Sequence, residues 1–150
     1  MSKLVKKVFF DNTAANTAEA LDFLSEKAVE LGIADDKDAI LAAFNEREQQ
    51  GPTGLTGGFA LPHAKSAAIK EVSVVVMKFA NPVEWKSMDG NEVKVAIAIF
   101  VPDDEATTTH LRVLSTIAGL LMQPDFTSAI IESDDEDEIA AAIEEEAAAE

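Results

Sequence analysis

This sequence predicts a single domain with helices on both faces of a central mixed β-sheet, a three-layer α/β/α arrangement. Residues 72–79 and 93–101 are nearly continuous apolar runs dominated by β-branched side chains. That composition belongs to strands covered on both faces. On either side of this pair, apolar residues recur at helical spacing, the pattern of helices that lay one stripe against a sheet. With 150 residues, 47% of them hydrophobic, the chain has the size of one domain and enough apolar mass for a full core.

Residues 5–10 predict the first strand. Asn16 or Thr17 then offers an N-cap with Glu19 in the first turn,. Ala20, Leu21, Leu24, Ala28 and Leu31 follow at helical spacing, and Gly32 supplies the stop,. A second helix starts at Asp35 or Asp36, passes through Ile40, Leu41 and Phe44 towards Gln50, and ends at Gly51-Pro52,. An irregular stretch comes next, with four of the seven glycines inside residues 51–58. It leads into Phe59-Ala60-Leu61-Pro62-His63-Ala64-Lys65. Between the two apolar runs, Met88-Asp89-Gly90-Asn91 reads as a turn,. Past Pro102, an Asp103-Asp104-Glu105 loop precedes Thr107-Thr108-Thr109, any of which caps the next helix,. That helix carries Leu111, Leu114, Ala118 and Leu121 on one stripe and stops before Pro124,. A short segment at 126–131 and an acidic tail complete the chain. No internal repeat or interdomain linker interrupts it.

Charge narrows the range of partners. Twelve Lys and Arg against 28 Asp and Glu give a net charge of −16, which argues against nucleic acid and anionic membrane surfaces. Ten of the acidic residues fall in 132–150, a segment without Lys or Arg. It reads as an acidic helix or tail with a solvated face, with Ile139 and Ile143 tacking down a last helix and the final Ala and Glu residues fraying. Cysteine is absent, which removes disulfides, thiol nucleophiles and cysteine-ligated zinc. No run of 18 apolar residues predicts a membrane span. Lysines inside the N-terminal apolar stretch argue against a signal peptide, so the cytoplasm is the expected location.

The reactive inventory is small: two histidines, two arginines (Arg47 and Arg112) and no tyrosine. His63 follows a glycine-rich loop where backbone approaches a ligand closely. It reads either as a nucleophile or general base, through the free lone pair of a neutral imidazole, or as a loop histidine at a strand end, satisfied by backbone hydrogen bonds. His110 falls in the first turn of a helix. There the unpaired N–H groups and the dipole favour a phosphate, while an ordinary helix start binds only water. Arg47 lies in the last turn of the second helix, where its fork suits a phosphoryl group and its charge equally suits the helix dipole. Other chemistries lack their motifs. The histidines have no zinc-site spacing and no His-Glu-x-x-His, the glycine stretch lacks the Gly-Lys-Ser/Thr of a P-loop, and no Gly-x-Ser-x-Gly elbow occurs.

Taken together, several segments resemble one family. Gly58-Phe59-Ala60-Leu61-Pro62-His63-Ala64-Lys65 resembles the active-site signature of the fructose/mannitol-type IIA domains (EIIA type 2) of the bacterial phosphoenolpyruvate-dependent sugar phosphotransferase system. Phe44-Asn45-Glu46-Arg47-Glu48 is similar to the family's arginine-bearing helix end, and Thr53-Gly54-Leu55 to the step that follows it. Met88-Asp89-Gly90, the strand ending in Val101-Pro102, and His110-Leu111-Arg112-Val113-Leu114-Ser115 match later blocks in order and spacing. The resemblance runs over residues 5–145 and departs mainly in the acidic C-terminus.

The resemblance implies one domain over 1–150 that accepts a phosphoryl group from phospho-HPr and passes it to a IIB component, serving a membrane IIC indirectly. His63 would be the phospho-acceptor, attacking through one nitrogen while a hydrogen bond holds the other. His110 and Arg47 would stabilise the charge in transfer, and Thr53 and Gly58 would contact phosphate. No cofactor, metal or nucleic acid is implied. A regulatory protein of the nitrogen-related branch, using the same histidine as a switch, is the alternative. A metal-dependent hydrolase would instead require His63 and His110 to share a metal.

Overall fold

The computed structural model describes residues 4–103 and 107–148, without the side chains of 107–111 and 147–148. In chain order the elements are β1 (Val5–Asn12), α1 (Thr17–Glu30), α2 (Lys37–Gln50), β2 (Phe59–Ala60), β3 (His63–Ser66), β4 (Ser73–Val83), β5 (Val93–Pro102), α3 (Thr107–Leu120), α4 (Pro124–Glu132) and α5 (Glu136–Ala148). Strand order is β1-β4-β5-β2, with β3 also paired to β5. β1 runs parallel to β4, β4 antiparallel to β5, and both β2 and β3 parallel to β5. The sheet is mixed, as expected.

The two apolar runs occupy its centre, and from Val74 to Met77 and Val95 to Val101 their side chains alternate between the faces. Val95, Ile97, Ile99 and Val101 of β5, with Val74 and Val76 of β4, pack with Ile117, Ile130, Ile139 and Ile143 of α3, α4 and α5. The intervening Ala96, Ala98 and Phe100, with Val75 and Met77, pack with Leu21, Leu24, Ile40 and Phe44 of α1 and α2. A period of two along a strand alternates side chains between the faces, so continuous apolar runs supply both cores. This is the three-layer α/β/α fold.

Local capping follows the sequence. The Asn16 side chain accepts from the Glu19 N–H, and Glu19 reaches back to the Ala15 N–H, a reciprocal arrangement that satisfies two donors at a helix start. Asp36 caps α2 through the Ala39 N–H. Gly32 adopts φ +77° just past α1, a conformation that favours glycine. The segment 126–131 lies within a helix, α4, started by Pro124 in its first turn, where a missing N–H loses no intrahelical bond. The proposed threonine cap of α3 falls at residues whose side chains lie outside the described ones.

The acidic C-terminus is more than a solvated tail. Ile139 and Ile143 are buried as expected. In addition, Glu136 accepts from the Val8 N–H at 3.0 Å and Glu144 from the Val5 N–H at 3.0 Å. β1 is an edge strand, and such edges present unpaired N–H groups that need covering. α5 covers this one with carboxylates. No helix among the described residues is long and apolar enough to cross a membrane.

Candidate functional site

The site forms where the end of α2 meets the outer edge strand. Phe44 is fully buried and meets Phe100 of β5 edge-to-face, with centroids 5.5 Å apart. That contact fixes the last turn of α2, which carries Arg47, against the sheet. α2 ends at Gly51, and the chain then folds back on itself. The Gly54 N–H donates to the Lys86 carbonyl, and a Cβ at Gly54 would lie 2.3 Å from that carbonyl oxygen. The close approach admits only glycine there.

Residues 59–66, to which sequence pattern assigned no element, hold two short strands in one register. Phe59 pairs with Val95 and His63 with Ile99, the same offset throughout. Between them the ladder is interrupted: Pro62 has no N–H to give, and the Leu61 N–H turns away to the Thr53 carbonyl at 2.9 Å. His63 therefore opens β3 directly after the interruption. Short strands behind a glycine-rich stretch give little periodic signal, which is why sequence pattern assigns them no element.

The imidazole is held on both nitrogens. Nδ1 lies 3.1 Å from the Leu61 carbonyl oxygen, and the Arg47 Nε–H donates to Nε2 at 2.9 Å. A carbonyl only accepts and a guanidinium only donates. The pair therefore assigns the proton to Nδ1 and the lone pair to Nε2. The Arg47 guanidinium is itself anchored by Nη1 donating to the Gly51 carbonyl at 2.9 Å. Both side chains are half-buried. The result is a neutral imidazole whose basic nitrogen faces a fixed cation, an arrangement suited to an incoming anionic electrophile.

A shallow cleft of about 470 Å³ opens over this pair, lined by Ala43, Glu46, Arg47 and Gln50 of α2, His63 and Lys65 of β3, and Asp103. His63 and Lys65 are two apart on β3 and share a face, with buried Ala64 on the other,. Glu46, Lys65 and Asp103 are exposed. Sequence reading assigned them no role, although strand alternation relates Lys65 to His63 once β3 is recognised.

The structure brings two of the expected site residues together, Arg47 and His63. His110 belongs to the first turn of α3, but its side chain lies outside the described residues. Thr53 and Gly58, the other two expected phosphate contacts, do not line the cleft. Thr53 is only 3% exposed; its hydroxyl donates to Glu48 and accepts from the Trp85 indole N–H at 3.2 Å. Gly58, at φ +87°, packs against the Lys94 stem and gives its carbonyl to the Lys94 and Val95 N–H groups. It launches β2 onto β5.

Comparison with known proteins bears on this geometry. The chain is 31% identical over 128 residues to the 2-O-alpha-mannosyl-D-glycerate-specific EIIABC component of Escherichia coli strain K12, covering 85% of this chain but 20% of that protein. It is 32% identical over 127 residues to the fructose-specific EIIA component of Haloferax volcanii, covering 85% and 82% respectively. The chain thus spans a fifth of the first relative and most of the second. The nitrogen regulatory protein IIA-Ntr from Neisseria meningitidis shares the fold, with a TM-score of 0.84 at 23% identity over 93% of this chain and 96% of that one. The family model for the phosphoenolpyruvate-dependent sugar phosphotransferase system, EIIA 2, matches residues 4–146. The chain belongs to that EIIA type 2 family, whose members are phosphoryl-transfer components.

Proposed function

We propose that this chain is a cytoplasmic phosphoryl carrier in which His63 Nε2 takes the phosphoryl group from phospho-HPr and delivers it to a IIB component. The observation that carries the reading is the pair of opposed hydrogen bonds on His63, which presents a lone pair at Nε2 beside the Arg47 cation. In the forward step Nε2 attacks phosphorus, the Nε2–P bond forms, and the bond from phosphorus to the donor's nitrogen breaks. No proton has to leave His63. The ring becomes cationic, and the Leu61 carbonyl stabilises it through the retained Nδ1–H. Arg47 turns from Nε2 to the phosphoryl oxygens, where its charge opposes that developing in transfer. His110 is assigned an accessory place on the same group.

The cleft is open and its lining charges are mixed, so stabilisation of the phosphorylated form is modest. A carrier must release what it binds, and uniform tight binding would slow the second transfer. Fructose-type uptake is the favoured setting, because the fructose-specific relative matches over most of its own length. Incubation with Enzyme I, HPr and phosphoenolpyruvate tests the reading: one phosphoryl group is expected by intact mass, and none on His63→Ala. A wild-type protein that takes up no phosphate overturns it.

A further inference from the structure

Thr53 is buried beneath the site rather than in it, and its position ties together three separate segments. Its hydroxyl acts in both capacities available to it, donating to the Glu48 carboxylate and accepting from the Trp85 indole N–H. Glu48 follows Arg47 in the last turn of α2. The Thr53 carbonyl accepts from the Leu61 N–H at 2.9 Å, and the Leu61 carbonyl is the group facing His63 Nδ1. One side chain therefore anchors the helix turn that aims Arg47. The backbone carbonyl of the same residue holds the N–H of Leu61, whose own carbonyl faces His63 Nδ1.

We propose that Thr53 is a positioning residue for phosphoryl acceptance: its buried hydroxyl, shared by Glu48 and Trp85, sets both the approach of Arg47 and the Nδ1–H state of His63. The inference rests on the carrier reading above for its kinetic consequence, but not for its structural one. The physical reason lies in burial. A hydroxyl that is 3% exposed and bonded on both sides strands the buried Trp85 indole and the half-buried Glu48 carboxylate when it is removed, and stranded polar partners relocate. Glu48 would turn to solvent and draw the end of α2 with it. The Thr53 carbonyl would lose its fixed direction, and with it the orientation of Leu61.

The geometry makes a distinction that a general packing role does not. Thr53 lies outside the cleft, so docking of a partner should be untouched while the chemical step slows. Misplacement of reacting groups by about 1 Å lowers rates by on the order of 10²-fold. Partial displacement through one removed hydroxyl should then slow transfer roughly 10- to 100-fold.

The test compares Thr53→Val, which keeps shape, Thr53→Ala, which adds no apolar atom against Glu48, and Thr53→Ser, which keeps the hydroxyl. Three readouts are taken on the full chain. Nitrogen-15 imidazole spectra report which His63 nitrogen carries the proton in the unphosphorylated protein. Stopped-flow transfer from phospho-HPr separates KM from kcat. Fluorescence of Trp85, the single tryptophan, confirms folding and reports the loss of its hydroxyl partner.

The expected result is a mixture of His63 tautomers and a 10- to 100-fold fall in kcat with unchanged KM in Val or Ala, and recovery to within about threefold in Ser. If Val fails to fold, Ala carries the comparison with Ser. A single Nδ1–H tautomer with wild-type kcat in a folded Val or Ala variant overturns the proposal while leaving the carrier reading intact. Failure of the wild type to accept phosphate overturns the carrier reading. In that case tautomer mixing in Val or Ala, reversed in Ser, still supports the positioning of His63.

Discussion

Replacing Arg47 by lysine separates charge from geometry at the point where the two matter most. The guanidinium makes two hydrogen bonds at once, Nε to His63 Nε2 and Nη1 to the Gly51 carbonyl, both at 2.9 Å. An ammonium retains the charge but is a point donor on a flexible stem and does not reproduce the planar fork. Loss of one preorganised donor to developing charge typically lowers kcat by on the order of 10²–10³. The cleft is open and Arg47 half-buried, so solvent screens part of the effect and Arg47→Ala should fall near the lower end, about 10². Arg47→Lys should recover part of that loss and settle roughly tenfold below wild type. Stopped-flow transfer from phospho-HPr measures both, with His63 spectra run alongside to check the imidazole. Wild-type kinetics in both variants would refute the reasoning and leave Arg47 as a cap on its own helix.

Four further outcomes follow from the same geometry. Gly54→Ala places a Cβ 2.3 Å from the Lys86 carbonyl oxygen and should destabilise by about 3 kcal/mol or more, read by urea denaturation. Phe44→Ala removes the ring that meets Phe100 and should lower stability by roughly 3–5 kcal/mol, with the chemical shifts of Arg47 and His63 moving together. Glu144→Ala leaves the Val5 N–H without its carboxylate and should lower stability by about 1 kcal/mol, with faster amide exchange along β1. At Asp89, hydrogen bonds from the Asn91 and Gly57 N–H groups hold the carboxyl below its ordinary value of 3.8. A lowered folded-state value gives stability that is present above the unfolded value and lost as pH falls through the folded one. The Gly57 and Asn91 amide shifts should therefore titrate below pH 3.8, and titration above it would contradict the assignment.

Much of the fold was legible because its signals are local. The caps at Asn16 and Asp36, the Gly32 stop and the β-branched runs of β4 and β5 each declare themselves within a few residues. β2 and β3 did not, because their pairing comes from β5 some 36 positions away and their own spans are two and four residues. The carboxylates of α5 look solvated in sequence, since their partners on β1 lie 128 and 139 positions back. At the site, His63 and Arg47 were readable as residue types, but the hydrogen bond between them is tertiary. Thr53 was expected to contact phosphate only because the Thr53-Gly54-Leu55 step resembles that of the family. Its partnership with Trp85, 32 residues on, is set by the fold and carries no sequence signature.

The central claim, that His63 Nε2 carries the phosphoryl group, is tested most directly by phosphorus and nitrogen-15 NMR on protein phosphorylated through Enzyme I, HPr and phosphoenolpyruvate. One phosphoryl resonance is expected, coupled to Nε2 of His63, with the proton retained on Nδ1. A phosphoryl group on Nδ1, or on any other residue, would contradict it.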